Sequence, residues 1–152
     1  MQIFNKILIA NRGEIAIRII RAAQKMGIQT VAIYSRPDEN ALHTRIADEA
    51  YFIGEQDLSE SYLNIDKIIK IATDSGSEAI HPGYGFLAEN PKLVAACEKA
   101  NITFIGPSTR AIKLMGNKVE SRDFVGKLNV PMTKGAVGTI EELKKAAQNI
   151  PL

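Results

Sequence analysis

Short apolar runs alternate with stretches whose apolar residues recur at helical spacing, which confines the first two thirds of the chain to a parallel sheet covered by crossover helices. Five runs read as strands: residues 6–10, 30–34, 50–53, 78–81 and 103–106. The nearly continuous apolar character of the first two is what strands need when both faces of a sheet are covered, and the last three are shorter. Between the first two, Ile15, Ile19, Ala22, Ala23 and Met26 line one face of a helix predicted over 13–26, and Gly27 follows where a left-handed residue closes the last turn. Asn64 is the expected N-cap of a second helix that carries Ile65, Ile68, Ile69 and Ala72 and ends near Gly76. Asn90 caps a third, with Pro91 at the first helical position, where a missing N–H costs nothing, and with Leu93, Val94, Ala96, Cys97 and Ala100 along its stripe. The expected fold class is α/β, a Rossmann-like doubly wound parallel sheet.

Beyond Gly106 the pattern changes. Ser108 opens a short helix to Met115, Gly116 interrupts it, and Asn117 caps another from Lys118 to near Leu128. These segments read as a helical linker. Thr139 with Glu142 three residues later forms a capping box that starts a helix through Leu143, Ala146 and Ala147. That helix has no later strand to pack on before Leu152, so the natural chain is expected to continue.

Composition narrows the class of function. With 45% hydrophobic and 24% charged residues in 152, the chain can bury a sizeable core. No apolar run reaches the ~18 residues of a membrane span, and the amino terminus lacks the flanks of a signal peptide, so a cytoplasmic location is expected. The net charge of +2 comes from mixed signs rather than a basic block, which gives nucleic-acid binding little support and leaves small anionic ligands open. The lone cysteine, Cys97, falls on an apolar stripe and is read as core.

Two turns stand at the carboxyl edge of the predicted sheet, where open α/β sheets bind ligands. The first is Asn11-Arg12-Gly13-Glu14; with one glycine it lacks the G-x-G-x-x-G spacing of a dinucleotide site, and from this segment alone Arg12 and Glu14 read as a solvated turn. Ser35-Arg36 after the second run could still receive a 2′-phosphate, so an NADP-binding module is the rival reading. The second turn, residues 81–90 from His81 to Asn90, is the densest cluster of unusual residues, with Gly83 and Gly85 around Tyr84 letting backbone approach a ligand or a neighbouring loop. His81 reads as a hydrogen-bonded structural histidine, since no second histidine or cysteine suggests a metal site; His43 reads as a surface residue. Glu89 could neutralise the start of the helix after it. Lys118 lies in the first turn of a helix, where its charge opposes the dipole unless an anion binds there. Arg18, Arg21 and Lys25 form a basic stripe opposite the apolar face of the first helix, with Glu14 and Arg18 in the favourable i,i+4 order.

Taken together, Lys6-Ile7-Leu8-Ile9-Ala10-Asn11-Arg12-Gly13-Glu14-Ile15-Ala16, Ala47-Asp48-Glu49, Ser61-Tyr62-Leu63-Asn64, the 81–90 cluster, Phe104-Ile105-Gly106-Pro107 and Met115-Gly116-Asn117-Lys118 resemble biotin carboxylases in order and spacing. The resemblance implies a pre-ATP-grasp domain over 1–107, a helical linker over 108–129 and the truncated start of an ATP-grasp domain over 130–152. It implies a ligase that uses ATP, Mg and bicarbonate to form carboxyphosphate and carboxylate biotin on a carrier. Acetyl-CoA carboxylase, and with it fatty acid biosynthesis, is the expected setting.

The same resemblance makes Lys118 an ATP-binding residue, and it places His81, Gly83, Tyr84, Gly85 and Glu89 along the cleft near biotin and bicarbonate. Where many relatives have serine before that glutamate, this chain has Ala88. Arg18 and Arg21 are candidates for a homodimer contact; Lys25 stands where some relatives have an acidic residue. Expected partners are the biotin carboxyl carrier and a carboxyltransferase. The remaining catalytic groups and all magnesium ligands are expected beyond Leu152, which leaves no certain catalytic or metal residue here and predicts an inactive fragment. A pre-ATP-grasp domain of another ligase, such as carbamoyl-phosphate synthetase, is the third reading.

Overall fold

A computed structural model describes residues 4–133 and 135–148. The readings made above for residues 1–3 and for the chain's final residues fall outside that range. In chain order the elements are β1 (Lys6–Ile9), α1 (Gly13–Lys25), β2 (Gln29–Ser35), a 3-10 turn (Arg36–Asp38), α2 (Leu42–Ile46), β3 (Glu49–Gly54), α3 (Ile65–Asp74), β4 (Ala79–His81), α4 (Pro91–Lys99), β5 (Thr103–Phe104), α5 (Thr109–Gly116), α6 (Lys118–Gly126) and α7 (Ile140–Ala147). Five strands form one parallel sheet in the order β3-β2-β1-β4-β5.

The period of two along each strand sorts side chains to the two faces. Leu8, Val31, Ile33 and Ile80 pack with Ile68 and Ala72 of α3 and Leu93 and Cys97 of α4. On the other face Ile7, Ile9, Ala32 and Ala79 meet Ala16, Ile19, Ile20 and Ala23 of α1. Helices thus cover both faces, and each fully buried leucine or isoleucine contributes roughly 1.5–3 kcal/mol. Burial also pushes the Cys97 thiol up to about 11, so the cysteine is an inert core residue as expected. The one lysine that leads β1 has a partner at the sheet's amino edge: Lys6 Nζ lies 2.6 Å from Glu49 Oε1 on β3.

Helix ends follow the local signals. Asn64 and Asn90 accept hydrogen bonds from Lys67 N and Lys92 N, and Gly27 at φ +73° ends α1 while the Ile28 amide donates to Ala23 O. Strand ends differ from the apolar runs by one or two residues, because pairing with neighbours rather than hydrophobicity terminates a strand.

One reading is overturned. His43 is fully buried, not a surface residue: it lies on α2, a helix of five residues that the sequence pattern did not mark, and its Nε2 lies 3.3 Å from Ile33 O. Its Nδ1 is buried with no partner. Burial lowers the pKa of the ring despite that hydrogen bond, so His43 is neutral at pH 7 with its proton on Nε2.

The chain divides into two compact units, residues 1–112 and 113–152. The second has no buried residue among those described. Its helices rest on local caps: Asn117 Oδ1 accepts from Val119 N and Glu120 N, and Thr139 and Glu142 form the expected capping box.

Candidate functional site

The strand order reverses direction of growth at β1, so the loops after β1 and β4 part to opposite sides and leave a crevice at the carboxyl edge. A cavity of about 260 Å³ lies there, lined by Asn11, Arg12, Glu14, Tyr84, Gly85 and Phe86 among others. The two loops are joined by a buried side chain. Asn11 Nδ2 donates to Pro82 O and to Tyr84 O, each at 2.8 Å, while its Oδ1 accepts from Arg12 N at 2.9 Å. Gly83 is required beside it: φ is +67°, and a Cβ would stand 2.7 Å from Asn11 Nδ2.

His81 has the structural role read from the sequence. Its Nδ1 accepts from the Gly83 amide at 3.0 Å, which puts the proton of the neutral ring on Nε2. Burial lowers its pKa and maintains that state. Tyr84 is 64% exposed although it is anchored on both sides, so the loop presents an aromatic ring to solvent. Gly85 and Glu89 are exposed as well, and Glu89 forms no ion pair among the described residues.

Arg12 is exposed, as its local sequence suggests, but it also has partners that the local sequence does not reveal. Its guanidinium lies over the Tyr62 ring at 5.4 Å and the Phe86 ring at 5.6 Å, and these two rings stack at 5.3 Å. Its Nη1 pairs with Asp38 Oδ2 at 3.1 Å, and the same oxygen accepts from Tyr62 OH and Ser35 Oγ. Partial burial opposes the charge on Asp38, yet hydrogen bonds from Tyr62, Arg12 and Ser35 hold the carboxyl below its ordinary range. Burial, together with Asp38, pushes the Tyr62 phenol up to about 12, so it remains a donor. Asn11, Tyr62 and Phe86 lie in motifs that the sequence marked, but with no role read for them, and Asp38 lies in none. They meet only because their strands and loops are neighbours in the fold.

This geometry disfavours the dinucleotide reading. Asn11 spans the crevice where a pyrophosphate would lie, Ser35 is buried on Asp38, and Arg36 is engaged with Glu39, Glu55 and the Phe52 ring.

Lys118 belongs to the second unit, at the first position of α6 and exposed. It borders a cavity of about 640 Å³ with Val119, Arg122, Asp123, Met132 and Val137. Because Asn117 occupies two of the first amides of α6, an anion here would meet the Lys118 ammonium rather than a full set of free N–H groups. Arg18 and Arg21 are exposed on α1, Arg18 at 3.7 Å from Glu14; Arg18 also borders an apolar groove lined by Ile15, Ile19, Met26 and Tyr84. Among the described residues no three His, Cys, Asp or Glu side chains are grouped to hold a metal ion.

Residues 3–112 match the family described as biotin carboxylase, N-terminal domain. The chain is 51% identical over 141 residues, 93% of its length, to biotin carboxylase 1 of Bacillus subtilis, covering 31% of that protein. It is 49% identical over 150 residues, 97% of its length, to the small subunit of 2-oxoglutarate carboxylase from Hydrogenobacter thermophilus, covering 32% of it. Among solved structures, the biotin carboxylase domain dimer of that Hydrogenobacter enzyme, in complex with MgADP, ADP and bicarbonate, aligns with a TM-score of 0.94 and 48% identity, over 100% of this chain and 34% of that one. The chain thus spans about a third of the length of these relatives.

Proposed function

Because the chain belongs to the biotin carboxylase N-terminal domain family, we propose that it works as the amino-terminal part of an ATP-dependent biotin carboxylase, a ligase acting with bicarbonate, magnesium and carrier-bound biotin. The observation that carries this reading is the identity of about half over nearly the whole chain, a span that includes the anchored 81–90 loop and Lys118. ATP and magnesium would supply the activated phosphoryl group and neutralise its charge. Lys118 would hold nucleotide phosphates through its free ammonium. In the other unit, His81 and Gly83 fix the loop backbone, and Tyr84, Gly85 and Glu89 would present an aromatic face, an accessible main chain and a carboxylate toward biotin and bicarbonate. Rigid placement matters, because an activated carboxylate must be kept from water until it is transferred. The magnesium ligands and the remaining catalytic groups would lie in the rest of the protein.

Residues 1–107 would form the pre-ATP-grasp domain, 108–129 a helical linker and 130–152 the beginning of an ATP-grasp domain. The complete protein would form a homodimer, a reading supported by the dimeric Hydrogenobacter relative, and Arg18 and Arg21 would contribute to the contact. The partners would be a biotin carboxyl carrier and a carboxyltransferase in the cytoplasm, with acetyl-CoA as acceptor. Pyruvate, 2-oxoglutarate and propionyl-CoA, which appear in the names of relatives, are the competing acceptors.

The test is bicarbonate-dependent ATP cleavage and carboxylation of free biotin by the complete protein that carries this chain. Lys118→Gln should raise the KM for ATP about tenfold or more, the value of one charge-assisted phosphate contact. Residues 1–152 alone should cleave no ATP in response to bicarbonate. Turnover by the isolated chain, or a Lys118→Gln enzyme with unchanged ATP kinetics, would overturn the corresponding assignment.

A further inference from the structure

The 82–89 loop has backbone anchors near its start and a ring contact further along. Asn11 grips its beginning through Pro82 O and Tyr84 O. Further along, Phe86 has φ +41°, a left-handed conformation that costs a bulky residue energy unless its surroundings impose it. Those surroundings are Tyr62, on whose ring Phe86 stacks with an interplanar angle of 4°, and Arg12, whose guanidinium covers both rings. Tyr62 is fully buried and its hydroxyl is bound to Asp38, which also binds Arg12. Phe86 therefore rests on a platform that is itself tied to β2 and to the 3-10 turn after it.

We infer that Arg12 is a positioning residue: by clamping Phe86 onto Tyr62 it sets the conformation of the 82–89 loop and hence the place of Tyr84 and Gly85. The functional half of this inference rests on the proposed role of that loop at the biotin and bicarbonate end of the cleft. A lysine in place of Arg12 could still pair with Asp38, but it lacks the planar face that covers two rings.

The test separates the clamp from the function. In this chain, hydrogen exchange is measured at the Gly83 amide, which donates to His81 Nδ1, and at the Ala88 amide, which donates to Gly85 O, with Leu8 and Ile80 in the sheet as references. Arg12→Ala should speed exchange at Gly83 and Ala88 about tenfold with the references unchanged, and Arg12→Lys should fail to restore protection. Phe86→Leu, which removes the ring but leaves Arg12 and Asp38 paired, should produce the same local loosening if the Arg12 variants do not fold. Exchange within about twofold of the parent chain in Arg12→Ala, full rescue by lysine, or equal acceleration at Leu8 and Ile80 would overturn the clamp. In the complete protein, Arg12→Ala should raise the KM for free biotin with kcat largely kept. Loosened exchange with unchanged biotin kinetics would leave the clamp standing and overturn the placement of the loop at the biotin end.

Discussion

Residues 4–112 and 113–148 are both rich in helix, yet they are stabilised in opposite ways. In the first, Leu8, Ile20, Ile33, Ile68, Ile80 and Leu93 are fully buried between sheet and helices, and the segments that bury each other are far apart in sequence. In the second, Phe124, Leu128, Val130 and Met132 are exposed, and the helices are defined by caps within a few residues of their own first turns. The difference teaches that a capped amphipathic pattern makes a helix without making a core. Among the described residues, only the first region has the long-range burial from which cooperative stability comes.

The largest test of that contrast is truncation of one buried and one exposed leucine. Leu8→Ala should cost about 2–5 kcal/mol in urea unfolding and Leu128→Ala less than about 0.5 kcal/mol. Equal shifts of the two midpoints would erase the distinction between the regions. Next in size is Gly83→Ala, where a left-handed backbone and the contact with Asn11 together should cost roughly 1–3 kcal/mol, measured the same way. Loss of the cap in Asn64→Ala should cost about 1 kcal/mol of global stability. Asn117→Ala should instead leave the global unfolding midpoint in place and reduce helicity by circular dichroism, because α6 contributes no buried residue.

The smallest effect is that of pH. Burial lowers the pKa of His43 and of His81 in the folded chain, so the unfolded state binds more protons once the pH falls below the ordinary histidine value of about 6.5. Stability is therefore fully present above that pH and declines as the medium becomes more acidic, until the folded histidines themselves protonate. His43→Gln should flatten this decline between pH 7 and 5 in urea titrations. A steeper decline in the variant would show that His43 is not the neutral buried group its surroundings make it.

Much of the first region was legible because its signals are local. Asn64, Asn90 and Gly27 end helices by contacts within a few residues, and the five apolar runs became the five strands. His43 was misread because the segment around it shows neither strand alternation nor a helical stripe of useful length, and its burial depends on β2 lying beneath α2. Around the candidate site, the glycines and His81 stood out by type. Asp38 did not, and Tyr62 stood in a marked motif without a role, since an aspartate or a tyrosine acquires its role only from what it faces.

The loop from His81 to Asn90 carries both lessons. Its sequence alone determined that the chain turns sharply there, at the carboxyl edge of a parallel sheet, because Pro82, Gly83 and Gly85 restrict or free the backbone whatever surrounds them. Only the tertiary structure decided which way the turn is held, since Asn11, Arg12, Asp38 and Tyr62 come from three other stretches of chain. Dihedral preferences act within a residue or two, whereas hydrogen bonds and ring contacts act across whatever distance in sequence the packed sheet closes.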